Sequence, residues 1–173
     1  MIIRKATIDD VEPIAQSYTD LLLYEQEHGT YTKWEMNVYP TESYARSKVE
    51  RGEMYVLEDS DEICASMILN QEQAAEYRDI PWHFHAEDDK VMVIHTLCIP
   101  PQKSKRGYGT KMVQFAKEFA KDAGCEVIRI DTNVINTPAK ILYPKNGFLI
   151  AGEHHALHHG VINTTLVYLD CKL

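Results

Sequence analysis

Residues 91–123 restrict the fold more than any other stretch of this chain. An almost continuously apolar run, VMVIHTLCI at 91–99, leads into a basic loop with two glycines, PPQKSKRGYGT at 100–110, and then into an amphipathic stretch. Apolar side chains at nearly every position suit a strand covered on both faces. Met112, Phe115, Ala116, Phe119, Ala120 and Ala123 recur at helical spacing, and Gly124 stands where a helix cap belongs. A buried strand that turns through glycines into a helix is the build of an α/β domain. It is also the physical recipe for a pyrophosphate site. Glycines let the backbone approach an anion, and the amides and dipole of the helix start favour negative charge. Lys105 and Arg106 add full charges. The spacing matches neither the G-x-x-x-x-G-K-[ST] loop nor a dinucleotide fingerprint, whose third glycine is replaced by Met112. An ordinary basic loop capping a helix remains the competing reading at this point.

The flanking sequence supplies the other elements. Residues 2–6 read as a strand. A helix follows from Asp9 or Asp10, with Val11, Ile14, Ala15, Tyr18, Leu21 and Leu22 on one face. Thr41 opens a second helix that Gly52 ends. Residues 54–58 and 63–69 form a hairpin around an acidic turn. Residues 71–89 show no period, and a stretch of that kind is often a lid or binding loop. Residues 126–132 form a strand, Thr137 caps a short helix with Pro138 in its first turn, and residues 148–152 and 161–169 close the chain as an antiparallel pair. With 173 residues and no linker, one domain spanning 1–173 is expected.

Net charge of -8 argues against nucleic acid as the partner. A local cluster of Lys103, Lys105, Arg106 and Lys111 instead suits a small anionic ligand. No apolar run reaches the roughly 20 residues of a membrane helix, and the first residues lack a signal-peptide pattern, so a cytoplasmic protein without membrane contact is expected. Cys64, Cys98, Cys125 and Cys171 lack paired spacing and read as small buried hydrophobes.

The segment at 97–110 resembles motif A of the GNAT superfamily of N-acetyltransferases, [QR]-x-x-G-x-[GA], with Gly107 and Gly109 at the small positions and Ser104 where Gln or Arg is usual. Downstream, NTPAKILYPKNGF at 136–148 is similar to the family's N-x-x-A-x-x-L-Y-x-x-x-G-F segment. The resemblance implies a mixed α/β sheet of about six or seven strands, splayed between the fourth and fifth and flanked by about four helices.

It also implies roles. Acetyl-CoA would lie against Leu97, Cys98 and Ile99 and on the loop of Ser104, Lys105, Arg106, Gly107, Tyr108, Gly109 and Thr110. Asn133, Asn136 and Ala139 would complete the cofactor set. Tyr143 would protonate the leaving thiolate, since a phenol is neutral at pH 7 and carries one proton to donate. Pro144 departs from the family pattern and predicts a helix that kinks or stops at Tyr143. His95, four residues before Ile99, is the candidate base. The implied reaction moves acetyl from acetyl-CoA to a primary amine of a small molecule or peptide, by direct attack in a ternary complex and without a metal. Tyr31, Trp34, Trp82 and Phe84 are candidate walls for that acceptor. A homodimer is left open. The histidines at 154, 155, 158 and 159 read as a solvated hairpin or a substrate loop more readily than as a metal site. The competing function is a sensor that binds acyl-CoA without catalysis.

Overall fold

The computed structural model describes residues 1–158 and 160–173, and among them lie seven strands and four α-helices. The chain forms two compact units. One comprises Met1–Thr30, Trp34–Leu69 and Thr96–Met112; the other comprises Tyr31–Lys33, Asn70–His95 and Val113–Leu173.

In the first unit, β1 (Ile2–Lys5), β2 (Met54–Asp59) and β3 (Glu62–Asn70, as far as Leu69) pair antiparallel in that order. Helix α1 (Val11–His28) buries Val11, Ile14, Tyr18, Leu21 and Leu22, the face the sequence spacing marked. Its entry is fixed electrostatically. Arg4 forks onto Asp10 at 2.7 and 2.9 Å and reaches Glu58 at 2.7 Å, while Asp10 accepts from the Thr7 amide at 2.7 Å. Helix α2 (Glu42–Glu50) is capped by the Thr41 hydroxyl, which accepts from the Tyr44 amide.

The second unit carries the start of β4 (Val91–Cys98), most of α3 (Tyr108–Asp122), and β5 (Val127–Asn133), α4 (Thr137–Lys145), β6 (Leu149–His158) and β7 (Ile162–Lys172). β4 runs parallel to β5, and β7 lies antiparallel between β5 and β6. The β4–β5 register covers Val91↔Val127, Met92↔Ile128 and Val93↔Arg129, whereas β5 stays paired with β7 to Asn133↔Leu166. The two parallel strands therefore part after Val93. Further along β4, Thr96 has φ +49, in the left-handed region that a β-branched residue rarely adopts. Its buried hydroxyl bonds that of Tyr39.

Residues 71–89, expected as a loose loop, hold two 3-10 turns and supply core. Tyr77, Ile80 and Trp82 pack with Val91, Val93, Val127, Leu166 and Tyr168 on one sheet face of the second unit. Burying side chains of this size contributes about 1.5–3 kcal/mol each. The segment is held by the Trp82 indole donating to the Tyr77 carbonyl at 2.8 Å. It is held again by buried Asp170, which accepts from the Phe84 amide and meets His83 Nδ1, both at 2.9 Å. The final strands extend beyond the sequence expectation, so His154, His155 and His158 lie within β6 rather than in a hairpin loop. Cap and proline corrections fall on α4. Its N-cap is Asn136, not Thr137, and the helix does not stop at Tyr143 but continues through Pro144 to Lys145. The Asn146 side chain donates to the Leu142 carbonyl at 2.8 Å, supplying a partner at the point where the last turn tightens.

Candidate active site

The loop between β4 and α3 lies in the first unit. Pro101–Lys103 form a 3-10 turn, Lys105 and Gly107 take φ of +60 and +80, and α3 begins at Tyr108. The Gly107 carbonyl accepts from the Lys111 amide, so Gly107 is the N-cap and has no side chain to satisfy the helix start. Among the described residues, the amides of Lys105 to Thr110 donate to no protein group. Left-handed residues on either side of Arg106, ahead of a helix, turn such amides toward one concavity, which attracts an anion. A Cβ built at Gly107 would meet nothing within 4 Å, so the space over this backbone is open. Ser104, Lys105, Arg106 and Thr110 are exposed around it. Lys103 is drawn away by an ion pair with Glu62. Tyr108 points inward and donates to Asp59 at 2.8 Å, tying the helix start to the β2–β3 turn; its amide, not its hydroxyl, faces the opening. Cys98 is buried, its thiol 3.7 Å from the Ser17 carbonyl, and burial pushes its pKa up, which keeps it a thiol and no nucleophile. Leu97 and Ile99 are half-buried on either side of it.

The same unit holds an aromatic cluster. Tyr18 and Trp34 rings lie 6.4 Å apart, Trp34 and Tyr39 5.9 Å, and Tyr39 and Tyr44 5.1 Å. The buried hydroxyls of Tyr18 and Ser66 have no hydrogen-bond partner among the described residues.

The second unit holds the remaining candidates. Tyr143 is buried on α4 and meets Phe148 edge-on at 5.4 Å. Burial, and after it the charge of Asp131, push its pKa up, so the phenol is fully protonated at neutral pH. Its hydroxyl makes no hydrogen bond to any described residue. His95 is half-buried with Nε2 2.9 Å from the Asn70 side-chain oxygen. That partner is an amide oxygen, to which Nε2 is placed to donate. Asn136 spends its side chain on the α4 cap, accepting from the Ala139 amide at 3.2 Å and donating to Thr132 at 2.9 Å. Asn133 is buried, donating to Thr164 at 2.7 Å and accepting from the Ile135 amide. Both asparagines thus hold the backbone after β5 in shape. Trp82 and Phe84 belong to the covered sheet face: Trp82 is in the core and under the Arg129 guanidinium at 4.3 Å. Tyr31 is half-buried in this unit, and Trp34 belongs to the other. Of the histidine run, His154 and His155 are exposed and His158 faces Asp131 at 3.4 Å; His159 lies outside the described residues. Among the described residues no group of three or more His, Cys, Asp or Glu is placed to hold a metal ion.

A family model described as the acetyltransferase (GNAT) family matches residues 15–148, which contain both sequence motifs. The chain belongs to the GNAT family. A curated relative of this GNAT protein, streptothricin acetyltransferase of Escherichia coli, is 28% identical over 95 residues, covering 54% of this chain and 51% of that protein. The chain thus spans about half the length of that relative. The fold agrees with solved GNAT structures. An acetyltransferase of the GNAT family from Streptococcus agalactiae superposes with a TM-score of 0.84 at 15% identity, over 99% of this chain and 95% of that one. An N-acetyltransferase from Staphylococcus aureus gives 0.74 at 14%, over 99% and 97%. A Salmonella typhimurium protein solved with its cofactor acetyl-CoA gives 0.71 at 15%, over 99% and 93%.

One acid of the second unit has no part in the sequence expectations, Asp131 on β5. Its signal was present, an acid in the middle of the apolar strand VIRIDTN.

Proposed function

We propose that this chain is an N-acetyltransferase that moves the acetyl group of acetyl-CoA to a primary amine. The carrying observation is the run of undonated amides from Lys105 to Thr110 beneath open space at Gly107. Such amides, with Lys105 and Arg106 beside them, suit the diphosphate of coenzyme A. The solved Salmonella relative with acetyl-CoA supports the same cofactor. Ser104 is no obstacle to this reading, because amides rather than a side chain at that position would grip the anion.

The acceptor ammonium first loses a proton, for which His95 is the proposed base. The amine nitrogen then forms a bond to the acetyl carbonyl carbon, and the carbon–sulfur bond breaks. The thiolate leaving group takes the phenolic proton of Tyr143, and the remaining extra proton of the new amide nitrogen passes through solvent to restore the phenol. Tyr143 suits that step because burial holds it neutral and its hydroxyl has no described protein partner. Trp34, with Tyr18, Tyr39 and Tyr44, is the proposed aromatic contact for the acceptor.

Calorimetric titration of acetyl-CoA, with ATP and NAD as controls, tests the cofactor assignment. Thiol release across a panel of amines then tests transfer. Saturable binding of acetyl-CoA alone, followed by amine-dependent thiol release, is the expected result. Binding without turnover on any amine would make the chain an acyl-CoA sensor, and absence of binding would remove the loop from the argument.

A further inference from the structure

The second unit contains a carboxylate that neither motif covers. Asp131 lies on β5 two residues past Arg129, the last residue of that strand registered with β4. Side chains alternate along a strand, so Asp131 shares the face of Val127 and Arg129, the face covered by residues 71–90. By the same alternation His95, two residues past Val93, lies on that face of β4 where the strands have parted. Asp131 is set at the opening of the sheet rather than deep within it, and its side chain remains 13% exposed.

Three groups hold or face this carboxylate. The Tyr77 hydroxyl donates to Asp131 Oδ2 at 2.7 Å, and His158 Nδ1 lies 3.4 Å from Oδ1. Tyr168 is its direct cross-strand partner on β7. The Tyr168 side chain is fully buried, yet its hydroxyl has no hydrogen bond among the described residues, and the Asp131 charge acts on the phenol. A buried hydroxyl without a partner is unfavourable, and a bound polar group would remove that penalty.

The charge balance is also incomplete. Among the described residues no Lys or Arg pairs with Asp131. Arg129, the cation on the same face, is used on Gln73 at 2.5 Å, on the Phe84 carbonyl at 3.3 Å and over the Trp82 ring. Burial pushes the pKa of His158 down, so at neutral pH it does not neutralise the acid. Glu76, from the turn that carries Tyr77, adds a second negative charge nearby.

We propose that Asp131, held by Tyr77, facing His158 and paired across the ladder with Tyr168, is the subsite that takes an ammonium group of the acceptor other than the amine that is acetylated, which makes the acceptor an amine with a second positive charge. This deepens the transferase reading and rests on it for the word acceptor; cation binding itself is independent of that reading.

The test is putrescine binding to the purified chain without cofactor, followed by calorimetry and by amide shifts in NMR, with butanediol as the uncharged control. Saturable putrescine binding that perturbs Asp131 and Tyr77, with none for butanediol, is expected. Asp131→Asn keeps the shape and an acceptor oxygen for Tyr77, and it should weaken putrescine by about tenfold or more, as loss of a charged hydrogen bond does. Tyr168→Phe removes only a hydroxyl without a partner. A structural role predicts unchanged binding with equal or higher Tm, whereas the subsite predicts affinity lower by about fivefold. Absence of saturable putrescine binding, or unchanged affinity in both variants, overturns the proposal. Acetyl-CoA titrated in parallel keeps the two readings apart: putrescine binding without acetyl-CoA binding leaves the subsite standing and removes the transferase, and the reverse removes only the subsite.

Discussion

Replacing Gly107 by glutamate perturbs the helix start in two ways whose sizes can be worked separately. The backbone there has φ +80, which costs an L residue about 1–2 kcal/mol. No atom lies within 4 Å of the added Cβ, so strain is the whole folding cost. In a chain of this size each kcal/mol moves Tm by about 2–4 °C, which gives an expected fall of about 2–8 °C. The effect on ligand is larger. A carboxylate about 4 Å from a phosphate charge, at an effective dielectric near 20, is repelled by about 4 kcal/mol. That corresponds to about a thousandfold in affinity. Gly107→Ala carries the same strain without the charge, so its Tm should match that of the glutamate variant while acetyl-CoA weakens by less than about tenfold. The assay is a thermal melt and a calorimetric titration of acetyl-CoA for all three proteins. A folded glutamate variant that binds like wild type would falsify the assignment of the diphosphate to this loop. An alanine variant as impaired as the glutamate one would show that space or backbone shape, not charge, governs the site.

Tyr143→Phe should lower kcat by about ten-fold to a thousand-fold with acetyl-CoA affinity unchanged; equal turnover on a responsive amine would take the phenol out of the reaction. Asn136→Ala removes the α4 cap and should cost about 1 kcal/mol in chemical unfolding, and no loss would show that the 3.2 Å bond to Ala139 contributes nothing. Arg4, first through its hydrogen bonds, holds the Asp10 carboxyl below its ordinary value of 3.8. Its stabilisation is therefore present above that value and is lost as pH falls through the lower folded one. Asp10→Asn should be less stable than wild type by about 2 kcal/mol at neutral pH, with the gap closing below pH 3.8, and a gap independent of pH would mean that charge is not its source.

Much of the fold was written in local pattern. The stripe of α1, the turn between β2 and β3 and the apolar run of β4 are short-range signals, and each reappears in its place. The Lys105–Thr110 loop was legible for the same reason, since glycine and basic residues act there through backbone geometry set within a few positions. What the sequence hid depends on partners far along the chain. Residues 71–89 carry no period because their apolar side chains fill gaps over β4, β5 and β7 rather than lining one face of a helix or strand. Trp82 looked like pocket wall for lack of any sign of Tyr77, Tyr168 and Arg129 around it. Pro144 suggested a broken helix, but the Asn146 side chain, donating to the Leu142 carbonyl, serves the turn that proline tightens. Asp131 was overlooked because its meaning comes from β7 and from a 3-10 turn 54 residues earlier, neither of which its own strand announces.

The irregular segment over the second unit has a consequence for how such a protein diversifies. It is fastened at a few points: Gln73 and the Phe84 carbonyl to Arg129, Tyr77 to Asp131, the Trp82 indole to Tyr77, and the His83 and Phe84 contacts to Asp170. Beside those anchors lie exposed or half-exposed positions with no ladder to keep in register, among them Glu76 and His85. Mutations there leave the strands beneath undisturbed. A lineage that conserved the anchors could exchange the charges above the sheet one at a time and change what that surface attracts, with no need to refold.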